Sequence, residues 1–240
     1  MLEVKNLKKS YGTNRVLDNI SFKVEKGDRV AIIGHSGCGK STLLRCLNML
    51  EKPDGGQIIF EDLDITGKNV NLSKIRAKIS MVFQQFNLFP HLTVLKNIVL
   101  APVELGKMSK EEAIEEATKL LKVIGLYDKK ENYPSQLSGG EQQRVAIVRA
   151  LMMNPDIILF DEATSALDPG MVKEVLELIK KIADEGMTMI LVSHEINFVK
   201  NCANKILFID DKKVAFYGTM DEALKSDNKK LRSFLDSTSK

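Results

Sequence analysis

Two hydrophobic periods run through the chain. Ile20, Phe22 and Val24 alternate with Asn19, Ser21 and Lys23, the period of a half-buried strand, and Glu25-Lys26-Gly27-Asp28 then supplies a turn, so a small antiparallel sheet is predicted to begin the chain. Arg29-Val30-Ala31-Ile32-Ile33 is instead continuously apolar and β-branched, the mark of a buried strand, and Leu43, Leu44 and Leu47 follow at helical spacing. Asp54-Gly55-Gly56 reads as a second turn before Gln57-Ile58-Ile59-Phe60. A short helix is expected from Ser73, followed by the apolar run Ile79-Ser80-Met81-Val82-Phe83, which ends at Gln84-Gln85.

Beyond Gln85 the pattern turns helical for some seventy residues. Ser109-Lys110-Glu111-Glu112 is a capping box, Ala113, Ala117, Leu120, Leu121 and Ile124 make an apolar stripe, and Gly125 stops the helix. A last helix is expected from about Glu141 to Met153, ended by Asn154-Pro155. Ile157-Ile158-Leu159-Phe160 then suits a central parallel strand. Pro169 opens a helix with Val172, Val175, Leu176, Ile179 and Ile182 on its buried face, ending at Gly186. Thr188-Met189-Ile190-Leu191-Val192 and Lys205-Ile206-Leu207-Phe208-Ile209 are two more strands with a helix between them. Asp210-Asp211-Lys212 turns the chain into Val214-Ala215-Phe216-Tyr217, and Thr219-Met220-Asp221-Glu222 caps a terminal helix. The alternation predicts an α/β fold in one domain with two lobes.

Bulk properties narrow the class. At 240 residues the chain is long enough for a substantial core, and no window of 18 apolar residues or secretory leader pattern is seen, so a soluble cytoplasmic protein is expected. Cys38, Cys46 and Cys202 are odd in number and lack C-x-x-C spacing, which argues for reduced thiols rather than a disulfide framework or zinc site. The net charge of +3, with Lys and Glu interspersed, gives no support to nucleic-acid binding.

The chemistry concentrates in Gly34-His35-Ser36-Gly37-Cys38-Gly39-Lys40-Ser41, which matches G-x-x-x-x-G-K-[ST] between a predicted strand and a predicted helix. Glycines let backbone N–H groups wrap a phosphate chain, Lys40 brings a cation to the β- and γ-phosphates, and the Ser41 hydroxyl can ligate Mg2+. The following helix, from Thr42 onward, turns its positive end toward the same anion. Asp161-Glu162 follows a buried strand, where α/β sheets bind ligands; Asp161 would reach Mg2+ and Glu162 would polarise an attacking water, although an acidic pair at that place also serves as a helix cap. Leu137-Ser138-Gly139-Gly140, just before a helix, has a second anion-binding shape or is an ordinary N-cap.

The 34–41 loop, Gln84, Leu137-Ser138-Gly139-Gly140, Ile157 to Glu162, Ser165-Ala166-Leu167-Asp168 and His194 occur in the order of the ATP-binding cassette (ABC) transporter ATPases, and the resemblance covers essentially the whole chain. It implies a P-loop NTPase (RecA-like) core with an N-terminal antiparallel β subdomain and an inserted α-helical subdomain. Residues 1–85 and 155–240 would form the catalytic lobe and about 86–154 the helical signature lobe. It also implies ATP and Mg2+, with Gly34, Ser36, Gly37, Cys38, Gly39, Lys40, Ser41 and Thr42 around the phosphates and Ser41, Gln84 and Asp161 toward the metal. Tyr11 resembles the residue that stacks on adenine, or else covers the small sheet. Gln84 resembles the contact to Mg2+ and the lytic water, Glu162 the catalytic carboxylate and His194 the γ-phosphate sensor. Two cassettes would face head to tail, so that Ser138, Gly139, Gly140 and Asp168 complete the partner's site. Cys38, Glu141 and Ala163 depart from the commonest pattern without removing a phosphate, metal or water contact.

The wording from Val82 to Val94, VFQQFNLFPHLTV, is similar to that of the polar amino acid importers of the arginine, glutamine and histidine type. Such a subunit would sit on the cytoplasmic face of the membrane against two permease subunits. Their short helices would dock near Phe86, Leu88 and Phe89, unless these are core residues under a loop, and a substrate-binding protein would act from the other side. A lipoprotein-release, cell-division or export cassette is the alternative. A soluble cassette acting on DNA or ribosomes would carry a long insertion or a second cassette, and a nucleotide kinase has no reason to carry Leu137-Ser138-Gly139-Gly140.

Overall fold

Strands β1 (Leu2–Tyr11) and β2 (Asn14–Val24) pair antiparallel through a two-residue turn, with Tyr11 opposite Asn14. After β3 (Arg29–Ile33) and α1 (Lys40–Leu47), β4 (Gly55–Phe60) returns to the other edge of β1 and β5 (Leu63–Asp64) completes a four-stranded sheet in the order β2-β1-β4-β5. The computed structural model describes residues 1–236; residues 237–240, the end of the stretch 155–240 assigned above to one lobe, lie outside the described residues.

One expectation is corrected here. Gly55-Gly56 is not a turn ahead of the strand but the start of β4 itself, paired to β1 where the ladder slips register between Lys5 and Lys8. At Gly56 the chains approach so closely that a Cβ would collide with the carbonyl oxygens of Lys5 and Asn6, and φ is 84°.

Helix α2 (Leu72–Lys78) leads into β6 (Ile79–Val82), and three helices follow: α3 (Val94–Glu104), α4 (Lys110–Val123) and α5 (Gly139–Leu151). The chain then runs through β7 (Ile157–Asp161), α6 (Pro169–Asp184), β8 (Thr188–Val192), α7 (Ile196–Cys202), β9 (Lys205–Asp210) and β10 (Lys213–Thr219). It closes with two short helices, α8 (Met220–Lys225) and α9 (Lys229–Asp236), where one was expected. Asn228 separates them, its Oδ1 accepting from the N–H groups of Lys230 and Leu231. Helix α5 starts at Gly139 rather than Glu141 because Ser138 caps it in a reciprocal box with Glu141. The box expected at Ser109 and Glu112 is present.

The second sheet has the order β10-β9-β3-β8-β7-β6, parallel except for the antiparallel edge β10. Continuous apolar runs form its strands because both faces are covered, and the period of two sorts each run between two cores. Val30 and Ile32, Ile157 and Leu159, and Leu207 and Ile209 enter the core shared with α1 and the four-stranded sheet. Ala31 and Ile33, Ile158 and Phe160, and Ile206 and Phe208 enter the core beneath α6 and α7. Each such buried side chain contributes about 1.5–3 kcal/mol. The helices α3, α4 and α5 bury a third cluster, including Val94, Ile98, Ala113, Ala117, Leu121, Val145 and Val148. No described helix is long and apolar enough to cross a membrane.

Candidate active site

Register places the chemistry at one edge. Ile32 of β3 and Asp161 of β7 both lie opposite Val192 of β8, and Val82 of β6 lies opposite Phe160. The 34–41 loop, Asp161-Glu162, His194 and Gln84 therefore leave the sheet together at the carboxyl ends of adjacent parallel strands, where open α/β sheets bind ligands.

The loop is built around Lys40. Its ammonium is buried and donates to the carbonyl oxygens of Gly34 at 2.9 Å and His35 at 3.0 Å, which leaves its third proton for a ligand. Gly39 (φ 97°) caps α1 in the left-handed region, and a Cβ there would come within 2.9 Å of the side chains of Val16 and Leu17. Ser41 and Thr42 occupy the first turn of α1, partly exposed, while Ser36 and Gly37 are exposed at the loop tip. Cys38 is half buried and burial pushes its thiol up from the ordinary value, with the charge of Lys40 acting in the opposite sense. Cys46 and Cys202 are buried free thiols, as the spacing predicted.

Asp161 is only 3% exposed. Its Oδ2 accepts from Nη2 of Arg45 on α1 at 3.1 Å, while Oδ1 has no partner among the described residues. A buried anionic oxygen without a donor carries a desolvation cost that a cation removes, so this carboxylate, at the same sheet edge as the loop that leads into Ser41, fits a divalent ion. Glu162 follows in the left-handed region (φ 49°), held by its N–H to the carbonyl of Val192 at 3.1 Å. Such a conformation costs about 1–3 kcal/mol and turns the side chain out of the strand. Both carboxylate oxygens are engaged: Nε2 of His194 lies 3.0 Å from Oε1, a spacing at which the imidazole N–H donates, and the Ser165 hydroxyl donates to Oε2 at 3.2 Å. Residues 162 and 194, predicted separately, are thus in contact. Gln84 is exposed in the turn after β6.

Tyr11 is 46% exposed at the tip of the β1–β2 hairpin, with the Lys9 ammonium 5.1 Å from its ring centroid. Ser138 is the N-cap of α5, its Oγ accepting from the Glu141 N–H at 3.3 Å and its own N–H donating to Glu141 Oε2 at 2.9 Å. The hydroxyl proton stays available to an acceptor outside the helix. Burial opposes ionisation of Glu141, yet the hydrogen bonds from Lys129 and from Ser138 hold its carboxyl below the usual value. Gly139 and Gly140 back onto Leu167 and Met171, next to the exposed Asp168. No hydrogen bond or ion pair joins Ser138-Gly139-Gly140 to the 34–41 loop among the described residues.

A groove of about 510 Å³ lies between the sheet edge and the helices, lined among others by Arg76, Met81, Phe89, Asn97, Arg149 and Met153. Of the three apolar residues expected there, Phe89 lines it, Leu88 packs on the helical core and Phe86 lies against Gly139. Asn97, fully buried, shapes the loop above it by accepting from the Phe89 N–H and donating to the carbonyls of Phe89, Leu92 and Thr93. Arg45 and Asn97 were not found from sequence, and Ser165, read there only as part of Ser165-Ala166-Leu167-Asp168, was given no contact to Glu162.

A family model described as "ABC transporter" matches residues 17–165. The chain is 52% identical to the arginine transport ATP-binding protein ArtM of Bacillus subtilis (strain 168), over 98% of this chain and 99% of that protein. It is 46% identical to the glutamine transport ATP-binding protein GlnQ of Escherichia coli (strain K12), over the whole of both. A solved dimeric structure of a post-hydrolysis state of the ATP-binding cassette MJ0796, bound to ADP and Pi, is similar with a TM-score of 0.81 and 38% identity, over 91% of this chain and 98% of that one. With a family model over more than half of the chain and relatives matched along its full length, the chain belongs to the ABC transporter family of ATP-binding proteins.

Proposed function

We propose that this chain is the ATP-hydrolysing subunit of a membrane importer for polar amino acids, working as a head-to-tail homodimer on the cytoplasmic face of the membrane. The single observation that carries the hydrolytic reading is the convergence, at one sheet edge, of the Lys40 loop, the unpartnered Oδ1 of Asp161 and the Glu162–His194 contact. Arginine and glutamine relatives that match the chain along its whole length support the polar amino acid class.

In this reading Lys40 and the loop N–H groups from Gly34, Ser36, Gly37, Cys38, Gly39, Ser41 and Thr42 neutralise the triphosphate, and Tyr11 meets the adenine. Ser41, Gln84 and Asp161 would hold Mg2+, which supplies charge neutralisation at the β- and γ-phosphates. Glu162 accepts a hydrogen bond from water and orients it for attack on the γ-phosphorus, breaking the bond to the β-phosphate oxygen. His194 bridges Glu162 and the γ-phosphate. The partner subunit's Ser138, Gly139, Gly140 and Asp168 close the site, which gives a use to a helix end that the chain keeps apart from its own loop. Residues 1–85 and 155–240 act as the catalytic lobe and about 86–154 as the helical lobe. The permease helices dock in the Phe89–Arg149 groove, and the substrate-binding protein acts through the permease.

The test is co-reconstitution in proteoliposomes with permease subunits from the same organism, with ATPase rate and uptake of labelled arginine and glutamine measured. Lys40→Ala should abolish both activities. Near-normal ATPase in that variant, or uptake of neither amino acid by an active wild-type complex, refutes the corresponding part of the reading.

A further inference from the structure

Helix α5 does more than present Ser138-Gly139-Gly140 at its start. Two of its side chains grip the chain on either side of Gln84. On one side Gln143, fully buried, donates from Nε2 to the carbonyl of Phe83 at 3.3 Å, while its Oε1 has no partner among the described residues. On the other side Arg149 donates from Nη1 to the carbonyl of Asn87 at 2.8 Å and from Nη2 to the carbonyl of Phe86 at 3.2 Å, with its guanidinium 5.8 Å from the centre of the Phe89 ring.

Phe86 and Asn87 need such a grip. Their φ values of 28° and 52° lie in the left-handed region, which side-chain-bearing residues keep only where the surroundings over-determine it. A guanidinium is suited to the task because its planar fork reaches two carbonyl oxygens at once, whereas an ammonium is a single point. Burial lowers the Arg149 pKa from its ordinary value. Asn87, Phe89 and Arg149 also line the groove, so an object seated there touches the grip directly.

We propose that Gln143 and Arg149 are positioning residues that fix Gln84 to α5, so that the Gln84 carboxamide and the Ser138-Gly139-Gly140 helix end move as one piece. This rests on the reading of Gln84 as a contact to the metal and the lytic water. Arg149→Lys keeps the charge and most of the volume but loses the fork, and Gln143→Leu removes the other anchor while keeping the burial.

The measurement is ATPase kcat and KM of each variant in the wild-type and Gln84→Ala backgrounds, with amide hydrogen exchange across residues 83–88 of the purified full chain. Each variant should lower kcat about fivefold or more, leave KM for ATP within about twofold and speed exchange across 83–88. Its effect on kcat should vanish in the Gln84→Ala background, because a residue acting through Gln84 has nothing left to position. Unchanged exchange, or an equal loss of kcat in both backgrounds, overturns the proposal. Wild-type turnover in Gln84→Ala alone would instead refute the reading of Gln84, and the exchange data would still decide whether the grip exists. Should Arg149→Lys fail to fold, Gln143→Leu carries the same comparison.

Discussion

Replacing Arg45 with Met removes the one side-chain donor that the structure gives Asp161 while keeping an unbranched aliphatic side chain at that position of α1. The lost bond is a charge-assisted one at 3.1 Å to a carboxylate whose side chain is 4% exposed. Such a bond contributes about 1.5–3 kcal/mol. The Arg45 side chain is 45% exposed, so solvent screening reduces this to about 1–2 kcal/mol. For a chain of this size each kcal/mol moves Tm by about 2–4 °C, so the nucleotide-free variant should melt about 2–8 °C below wild type. Mg2+ with a non-hydrolysable ATP analogue should narrow that gap by at least half, because a cation beside Asp161 replaces the missing positive charge. The same analogue with EDTA should not. Differential scanning fluorimetry under the three conditions decides. An unchanged Tm without nucleotide, or a gap that Mg2+ leaves intact, would refute the assignment of Asp161 to the metal.

Two further outcomes are expected. Because burial raises the Cys38 thiol, its thiolate is scarce at neutral pH; maleimide labelling should accelerate as pH rises past the ordinary thiol range, and saturating ATP should slow it at every pH. Peptide mass spectrometry reads this, and labelling that ATP leaves unaltered contradicts the loop geometry. A Ser138→Arg subunit mixed with a Lys40→Ala subunit should recover ATPase activity absent from either alone, since one interface of the mixed dimer carries both lesions and the other none. No recovery despite demonstrated subunit exchange argues against the head-to-tail arrangement.

The central sheet was legible because a strand buried on both faces is apolar along its length, as residues 157–160 and 189–192 are. The phosphate loop and the cap at Ser109 were legible because their chemistry is local in sequence. Helix α3 was covered only by the general helical reading beyond Gln85, and no cap or stripe was assigned to it; Pro102, in its last turn, offers no N–H to the helical ladder there. Gly55-Gly56 misled, its glycines serving a close strand contact rather than a turn. In the site, the types and spacing of Lys40, Asp161, Glu162 and His194 marked them individually. Their mutual contacts, and the parts taken by Arg45, Gln143 and Arg149, join residues 32 to 116 positions apart and leave no periodic trace.

The most direct test of the account is Glu162→Gln. The change preserves shape and leaves Lys40, Ser41, Asp161 and the α5 helix end able to hold ATP. It removes the carboxylate proposed to polarise water, a role worth about 10²- to 10⁴-fold in rate. ATP should then persist at the interface and hold two copies together, whereas ADP, lacking the γ-phosphate that both subunits would contact in the proposed dimer, should not. Size-exclusion chromatography of the variant should show a dimer with ATP and a monomer with ADP, alongside a hydrolysis rate at least about a hundredfold below wild type. Hydrolysis at the wild-type rate, or a monomer in saturating ATP, would contradict the account.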